Sequence, residues 1–277
     1  MSVIQRDNVA LITGAGAGIG ASAAKFFASR GMKIVLFDKD LASLEKTAKD
    51  IDTETLLVCG DVKDKAALVE LHEKVFERFG HLNLLFLNAG IGRKSKPWDF
   101  LENWHETLDV NLFANVELLH LFLPPLLEQG FPSSIVTLGS KEGITTPPGN
   151  AAYSVSKAGV KILTEQLAYE LRQIPNHQVS AHLLVPGYTW TPMNFPDADF
   201  TNPQSKPQAP WSAEELLIFF EKSLENGDFY MIAGDNEVTP ELDKKRIQWA
   251  ADDIIKNRPA LSRWHDDYKE EFHSFIQ

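Results

Sequence analysis

Short apolar runs alternate with longer amphipathic segments along most of the chain. The apolar runs are rich in Val, Ile and Leu and have the length of buried β-strands, whereas the segments between them place apolar residues at helical spacing. The predicted strands span 9–12, 33–37, 55–59, 82–87, 134–138 and 179–185, with a seventh over 229–233. Strand and helix are therefore expected to follow one another through the chain.

Several predicted helices begin or end at recognisable signals. The helix over 19–30 is followed by Gly31, and a glycine after a helix is a common stop signal. Ser212 and Glu215 form the pattern of a capping box, which predicts that a helix starts there and runs to 225. The other predicted helices span 41–50, 63–79, 100–128, 151–173, 239–257 and 264–276.

This order of elements predicts the fold class. Strands joined by helices run parallel with right-handed crossovers, so we expect an α/β fold: a single-domain, doubly wound parallel sheet, Rossmann-like, of about seven strands with helices on both faces. Nothing divides residues 1–277 into separate units. A polar, proline-punctuated stretch over 186–211 predicts a functional loop and lid spanning 188–225, and residues 234–277 predict a helical extension.

Composition and charge narrow the function classes. The formal net charge of -11 disfavours a nucleic-acid-binding surface, because binding phosphates requires clustered Lys and Arg. Cys59 is the only cysteine, so neither an intrachain disulfide nor a thiolate metal cluster is possible. The eight histidines include no pair at the spacing of helical metal ligands. We therefore expect no metal and no nucleic-acid partner.

The start of the chain and its hydropathy favour a cytoplasmic protein. The first apolar run begins at Val9, which leaves no room for a signal peptide or transit sequence before it. No uncharged apolar stretch is long enough for a spanning helix. We expect no membrane partner.

A glycine-rich turn follows the first predicted strand and opens the first helix. Residues 13–20 read Thr-Gly-Ala-Gly-Ala-Gly-Ile-Gly. Glycine lets the backbone approach a pyrophosphate closely, and the helix N-terminus presents free N–H groups to it. The strand-turn-helix context predicts a dinucleotide site that includes Gly14, Gly18, Ile19 and Gly20.

Polar residues end the next strands at the same edge of the sheet. Asp38 ends the second strand, where a carboxylate can bind the adenosine ribose hydroxyls and would repel a 2′-phosphate. NAD is therefore the expected cofactor, and the neighbouring Lys39 keeps NADP as the alternative. Asp61 and Val62 follow the third strand, near the expected adenine, and Asn88, Ala89 and Gly90 follow the fourth, where Asn88 could hold local backbone.

The fifth strand leads to the candidate catalytic residues. Ser140 follows that strand, and Tyr153 and Lys157 share one face of the next helix because they lie four residues apart. A nearby ammonium and the positive charge of the nicotinamide both favour the phenolate of a tyrosine, so Lys157 could help to make Tyr153 a usable base. Ser140 could hold a substrate oxygen beside Tyr153.

Together these motifs resemble the short-chain dehydrogenase/reductase family. The glycine turn matches its Thr-Gly-x-x-x-Gly-x-Gly pattern, and the resemblance runs over about 7–195. It implies an NAD(P)-binding Rossmann-like domain and a homodimer or homotetramer built through the helices near 100–128 and 151–173. Gly139 stands where the family often has serine, and the glycine-rich ending of the family is missing after 233.

The resemblance also implies roles for single residues. Asn111 matches the helix asparagine that helps to hold a proton-relaying water, and Lys157 matches the residue that binds the nicotinamide ribose. Pro186 and Gly187 match the segment that closes on the carboxamide, with Thr189 and Thr191 as its contacting candidates.

These expectations combine into one leading function. The chain is expected to be an NAD-dependent oxidoreductase that interconverts a secondary alcohol and a ketone by hydride transfer, with Tyr153 as acid and base. An NADPH-dependent carbonyl reductase with the same residues is the nearest alternative. A catalytically silent NAD(H)-sensing or scaffold protein is the alternative from another class, and the intact set of catalytic residues argues against it.

The substrate is expected to be a moderately hydrophobic small molecule. Aromatic and apolar residues dominate the segment after 187, and pockets for such substrates are lined mainly by apolar side chains. The run Arg93-Lys94-Ser95-Lys96 could recognise an anionic group, although a solvated loop is the favoured interpretation. The candidate substrate contacts are Ser140, Glu142, Tyr188, Trp190 and Met193.

Overall fold

One parallel β-sheet forms the centre of the computed structural model, which describes residues 3–277. Its strands are β1 (Val9–Thr13), β2 (Lys33–Asp38), β3 (Thr55–Cys59), β4 (Leu84–Leu87), β5 (Ser133–Leu138), β6 (Val179–Val185) and β7 (Tyr230–Ile232). The seven strands lie in the order β3-β2-β1-β4-β5-β6-β7, and all neighbours pair in parallel. The predicted fold class is confirmed, including the seventh strand.

The strand order changes direction at β1, which lies between β2 and β4. Chain connections leave β1 and β4 toward opposite faces of the sheet at this point, so a crevice opens beyond their carboxyl ends. The register pairs Thr13 at the end of β1 with Phe37 near the end of β2. The glycine turn, Asp38 and the segment after β4 therefore meet at one edge.

Helices cover both faces of the sheet. They are α1 (Gly18–Ser29), α2 (Leu41–Ala48), α3 (Lys65–Phe79), α4 (Leu101–Leu108), α5 (Ala114–Glu128), α6 (Glu142–Thr145), α7 (Ala151–Leu171), α8 (Ala213–Glu225), α9 (Pro240–Ile255) and α10 (Lys269–Ile276). The capping box that was predicted for α8 is confirmed: Ser212 accepts from the Glu215 backbone, and the Glu215 side chain accepts from the Ser212 backbone.

A hydrophobic core fills each side of the sheet. On one side α1 and α8 pack on the strands through a ring cluster, in which Phe27 lies edge-on to Phe86 at 5.6 Å and Phe220 lies 5.5 Å from Phe86. On the other side α3 and α5 pack around the fully buried Phe122. These packed layers fix the strand ends that carry the candidate site.

The stretch Leu101–Glu128 is interrupted by one turn of π-helix, Asp109–Phe113, which separates α4 from α5. This stretch is long and apolar enough to cross a membrane by length and composition, with a mean hydropathy of 1.4. It contains Glu117 and so was not an uncharged run in the sequence. Leu118, Phe122 and Leu126 bury its apolar side against the sheet, which accounts for its composition within this fold.

The C-terminal extension folds back onto the body of the protein. Its helix α9 packs against α6 and α10, and Trp249 is buried between Phe272 and the guanidinium of Arg258, 3.8 Å from the indole ring centre. The helix predicted over 264–276 begins only at Lys269. His265 is extended, and its Nδ1 accepts a hydrogen bond from the Asp267 N–H, so this local cap interrupts the helical backbone.

Candidate active site

The glycine turn brings the β1 loop into close contact with the β4 loop. Gly14 has a φ of +67°, and a Cβ there would lie 2.9 Å from Ala89 Cα. A Cβ on Gly20 would lie 2.0 Å from the Gly14 carbonyl oxygen. Side chains at these two positions would push the turn away from the helix N-terminus. Glycine is therefore required by space at both positions, and at Gly14 also by backbone conformation.

Thr13 and Asn88 join these two loops by hydrogen bonds. The Thr13 hydroxyl accepts from the N–H groups of Asn88 and Ala89 at 3.0 and 3.1 Å. Asn88 Nδ2 donates to the carbonyl oxygens of Thr13 and Gly14 at 2.8 and 3.2 Å. The prediction that Asn88 holds local backbone is confirmed, and this contact sets the shape of the turn.

Asp38 lies beside the glycine turn with both carboxylate oxygens fixed. One oxygen accepts from the Gly16 N–H at 3.0 Å, and the other accepts from the Asp40 N–H at 3.1 Å. These bonds hold a negative charge at the edge of the cavity that Asp38 lines. A second anion in the same place would be repelled.

A cavity of about 750 Å³ connects Asp38 with the candidate catalytic residues. Most residues that the sequence predicted for the site lie on its wall. These are Gly14, Gly18, Ile19, Asp38, Asn88, Ala89, Gly90, Ser140, Glu142, Tyr153, Lys157, Pro186, Gly187, Tyr188, Thr189, Thr191 and Met193. The carboxyl ends of β1, β4, β5 and β6 therefore contribute to one site.

Tyr153 lies on the first turn of α7, facing Ser140 at the end of β5. Burial is the main influence on its hydroxyl and raises its pKa to about 12, with a smaller contribution from the charge of Glu142; a hydrogen bond with Ser140 acts in the opposite direction. With this pKa Tyr153 keeps its proton at neutral pH, which suits a proton donor. The effect of Lys157 together with a nicotinamide charge stays a prediction.

Lys157 follows one turn later on α7, with its ammonium 5.7 Å from the centre of the Tyr153 ring. Its Nζ donates to the Leu138 carbonyl oxygen at 2.8 Å. Burial lowers the pKa of Lys157 to about 8, because a charged ammonium is poorly solvated there. The side chain is thus fixed between the end of β5 and the tyrosine.

Asn111 lies behind Lys157 in the π-helical turn and is completely buried. Its amide donates to the Ile91 carbonyl oxygen at 3.0 Å and to the Ser156 hydroxyl at 2.9 Å, and its oxygen accepts from the Ile91 N–H. A Cβ on Gly90 would lie 3.4 Å from Asn111 Oδ1 and 3.6 Å from Lys157 Nζ. Asn111 therefore fixes the backbone after β4 next to Lys157.

The segment after β6 closes the cavity. A Cβ on Gly187 would lie 2.0 Å from the Gly234 carbonyl oxygen, so this glycine allows the segment to pass close to the start of the extension. Thr189 and Thr191 are buried and line the cavity, and Thr189 donates to the Gly187 carbonyl oxygen at 2.9 Å. Their contact with the carboxamide stays a prediction.

Five candidate residues do not line the cavity. They are Gly20, Asp61, Val62, Asn111 and Trp190. Gly20 packs against Gly14, and Asn111 lies next to Gly90, so both support residues that line the cavity. The Asp61 carboxylate caps the Lys63 N–H at 3.0 Å, and the Trp190 ring packs against Phe200 at 4.7 Å, away from the cavity wall.

The extension adds wall residues that the sequence did not reveal. Asp235, Val238 and Arg246 line the cavity together with Lys141, which follows Ser140. Lys94, from the basic run considered above, also reaches the wall, whereas Arg93 pairs with Glu106. No motif marked these residues: Asp235 and Val238 lie between β7 and α9, and Arg246 reaches the site because α9 folds back. Within residues 3–277, no group of three or more His, Cys, Asp or Glu side chains could hold a metal ion.

Known proteins with similar sequences and folds are described as dehydrogenases and reductases. Residues 8–200 match the family model described as short chain dehydrogenase. A CLA biosynthesis dehydrogenase/reductase of Lactiplantibacillus plantarum is 30% identical over 217 residues, which are 77% of this chain and 76% of that protein.

Two solved structures extend the comparison to the fold. A short-chain dehydrogenase/reductase of Burkholderia phymatum in complex with NAD is 27% identical, with a TM-score of 0.82 over 94% of this chain and 98% of that one. An alcohol dehydrogenase of Thermococcus sibiricus complexed with 5-hydroxy-NADP is 25% identical, with a TM-score of 0.69 over 79% and 91%. The first alignment omits fewer residues than the extension contains, so part of the extension has a counterpart there.

Proposed function

Because the chain belongs to the short-chain dehydrogenase/reductase family and is an NAD(P)-linked oxidoreductase acting on CH-OH groups, we propose that it interconverts a secondary alcohol and a ketone with NAD. One observation carries this proposal. A single cavity joins the Asp38 carboxylate at one end to Ser140, Tyr153 and Lys157 at the other. The expected nucleotide site and the catalytic residues therefore share one cavity.

The chain's residues fit a nicotinamide dinucleotide. The turn of Gly14 and Gly18 would hold the pyrophosphate at the N-terminus of α1, Asp38 the adenosine ribose, and Thr189 with Thr191 the carboxamide side. When bound, the nicotinamide supplies or accepts the hydride.

Each catalytic residue has its own role in positioning the substrate or transferring the proton. The Ser140 hydroxyl positions the substrate oxygen, and Tyr153 Oη gives its proton to that oxygen during reduction or removes it during oxidation. Lys157 stays next to Tyr153 because its ammonium is tethered to the Leu138 carbonyl oxygen. Asn111 holds the backbone of Ile91 beside Lys157 and so acts as a positioning residue.

The preference for NAD follows from the fixed carboxylate of Asp38. Two backbone N–H groups hold it in place, so it cannot turn away from a ligand that carries a 2′-phosphate. The repulsion between two anions at this place disfavours NADP. Lys39 lies beside Asp38 but is exposed to solvent, where its charge is screened.

The loop over 188–225 is proposed to cover the substrate. Thr189 pairs with Trp211 across its base, and Pro192, Met193 and Asn194 line the cavity between these anchors. Tyr188 and Phe195 stack at 5.2 Å on the same segment. The loop can therefore close over the nicotinamide side while it remains tied at both ends.

A homodimer or homotetramer is proposed through α5 and α7. Both helices carry large apolar side chains on the surface: Phe113 just before α5, Val116 on α5, and Val155, Ile162 and Tyr169 on α7. Large apolar side chains exposed on two helices favour contact with a second copy. Sedimentation analysis of Ile162→Glu would test this, since a charge in the contact should shift the protein toward smaller species. We also propose that the protein is cytoplasmic.

Turnover of a panel of simple secondary alcohols with NAD tests the function. We expect NADH to form, and we expect Ser140→Ala to lower kcat by about 100-fold while NADH binding is retained, since Ser140 acts on the substrate oxygen. Thr145→Ala serves as a control because Thr145 is not on the cavity wall. Turnover that is unchanged in Ser140→Ala would contradict the assignment.

A further inference from the structure

The C-terminal extension brings a cation to the substrate end of the cavity. Its helix α9 packs against α6, which directly follows Ser140. Arg246 on α9 lines the same cavity as Ser140 and Tyr153. The extension therefore takes part in forming the space beside the reacting oxygen.

Arg246 has unused hydrogen-bonding capacity in this space. Its Nε is buried and, among the described residues, finds no hydrogen-bond acceptor. An unmet donor on a charged group is unfavourable when water is excluded, and an anionic ligand would satisfy it. A guanidinium also presents its donors in a planar fork that matches the oxygens of a carboxylate or phosphate.

The neighbouring carboxylates are engaged elsewhere. Asp243 is buried and pairs with Lys141 at 2.5 Å. Asp235 accepts from the backbone N–H groups of Tyr188, Glu237 and Val238. These bonds hold the carboxylates in structural roles and leave Arg246 available for a ligand.

A second guanidinium adds to the positive charge near this end. Arg263 is half-buried over the rings of Trp264 and Phe272, at 4.8 and 5.1 Å from their centres. Its pKa is lowered, first by burial and then by the charge of Arg246, while Asp243 acts in the opposite direction. Lys141, Arg246 and Arg263 thus balance the carboxyl groups of Asp235, Asp243 and Glu142 at this end, in a protein whose formal net charge is -11.

Glu142 is the other carboxyl group on this part of the wall. It faces Ser154, whose hydroxyl lies 3.5 Å from Glu142 Oε2, and burial raises its pKa. Its contacts are therefore on the α7 side, next to Tyr153, and not with the extension.

We propose that Arg246 binds an anionic oxygen group of the substrate, so that the natural substrate is a short hydroxy or oxo acid with a terminal carboxylate, sulfonate or phosphonate-like group. The inference rests on the proposed function, since it names the class of alcohol or ketone. It adds one charged contact to the expectation of a moderately hydrophobic substrate in a mainly apolar pocket. Tyr188 and Met193, which line the cavity, would then enclose the carbon chain between the anionic end and Tyr153.

A series of substrates with one carbon skeleton tests the proposal. The series is β-hydroxybutyrate, its methyl ester, and the matching β-hydroxysulfonate and β-hydroxyphosphonate, each assayed with NAD. We expect wild-type kcat/KM to favour at least one anion over the ester by about 10- to 100-fold, the range for one charged hydrogen-bonding contact. The most favoured anion identifies the group.

Four variants assign this preference to a side chain. Arg246→Gln should remove the preference by lowering kcat/KM for the anion and not for the ester, and Arg246→Lys should restore part of it. Lys244 is exposed on the same helix, so Lys244→Met should change kcat/KM for neither the anion nor the ester. Equal losses for anion and ester in Arg246→Gln, or loss of the preference in Lys94→Met instead, would overturn the proposal.

A binding measurement tests the anion site without relying on turnover. Calorimetric titration of the NADH-loaded protein with butyrate and with butyramide should show that butyrate binds more tightly, and that Arg246→Gln abolishes the difference. Equal binding of both ligands by the wild type would overturn the anion site. Absence of turnover with every alcohol, together with Arg246-dependent butyrate binding, would contradict the proposed function alone.

Discussion

Replacement of Lys157 by methionine should make the protein more stable at neutral pH. Burial lowers the pKa of Lys157 from its ordinary value of 10.5 to about 8, and this difference corresponds to about 3 kcal/mol that opposes folding while the lysine is charged in both states. Methionine fills a similar volume without a charge. The loss of the hydrogen bond to the Leu138 carbonyl oxygen costs about 1 kcal/mol. The expected net gain is about 2 kcal/mol.

The gain should depend on pH in a definite direction. Below about pH 8 folded and unfolded chains both bind the Lys157 proton, so the full penalty is present. Between about pH 8 and pH 10.5 only the unfolded chain keeps it, so the wild-type free energy of unfolding rises with pH relative to that of the variant. The advantage of the variant should therefore disappear in this range.

Urea unfolding at equal protein concentrations, at about pH 7 and about pH 10, measures both effects. Lys161→Met is the matched control, because Lys161 lies one turn further along α7 in a half-buried i,i+4 pair with Glu165. It should change stability by less than about 1 kcal/mol. A variant that is no more stable than the wild type at neutral pH, or whose advantage does not change with pH, would refute the account of the buried ammonium.

Three other predictions concern the cofactor end and the fold. Asp38→Ala should raise kcat/KM for NADPH relative to NADH by about 10-fold or more, as measured with one ketone, and an unchanged ratio would contradict the charge argument. Gly20→Ala should abolish NADH binding by fluorescence, because its Cβ would lie 2.0 Å from the Gly14 carbonyl oxygen; normal affinity would show that the turn can adapt. Ser212→Ala should lower stability by about 1 kcal/mol without changing kcat, since it removes only the cap of α8.

The sheet could be predicted from the sequence because its signals are local. Each buried strand is a short apolar run, and the helices between them carry their own start and stop signals, such as Ser212 for α8. The residues at strand ends were also predictable, since parallel strands bring their carboxyl ends to one edge. Asp38, Asn88 and Ser140 therefore lie on one cavity although they are far apart in sequence.

Features that depend on the three-dimensional environment of a residue could not be predicted from the sequence. The spacing of Tyr153 and Lys157 suggested a lowered tyrosine pKa, but burial acts on both groups and raises the pKa of Tyr153 to about 12. The π-helical turn around Asn111 was not predicted, because the sequence was interpreted as one continuous helix over 100–128. Arg246 became visible only through the fold-back of α9.

The central claim is that Tyr153 transfers the proton in an NAD-linked reaction at the end of this cavity. The most direct measurement compares Tyr153→Phe with the wild type for alcohol oxidation with NAD and for NADH binding in the same preparations. We expect kcat to fall by about 1,000-fold or more, with NADH affinity unchanged within about 3-fold, because only the proton-transferring hydroxyl is removed. Retention of wild-type turnover by Tyr153→Phe would contradict the assignment, and NADH binding without turnover in either protein would favour an NAD(H)-sensing role instead.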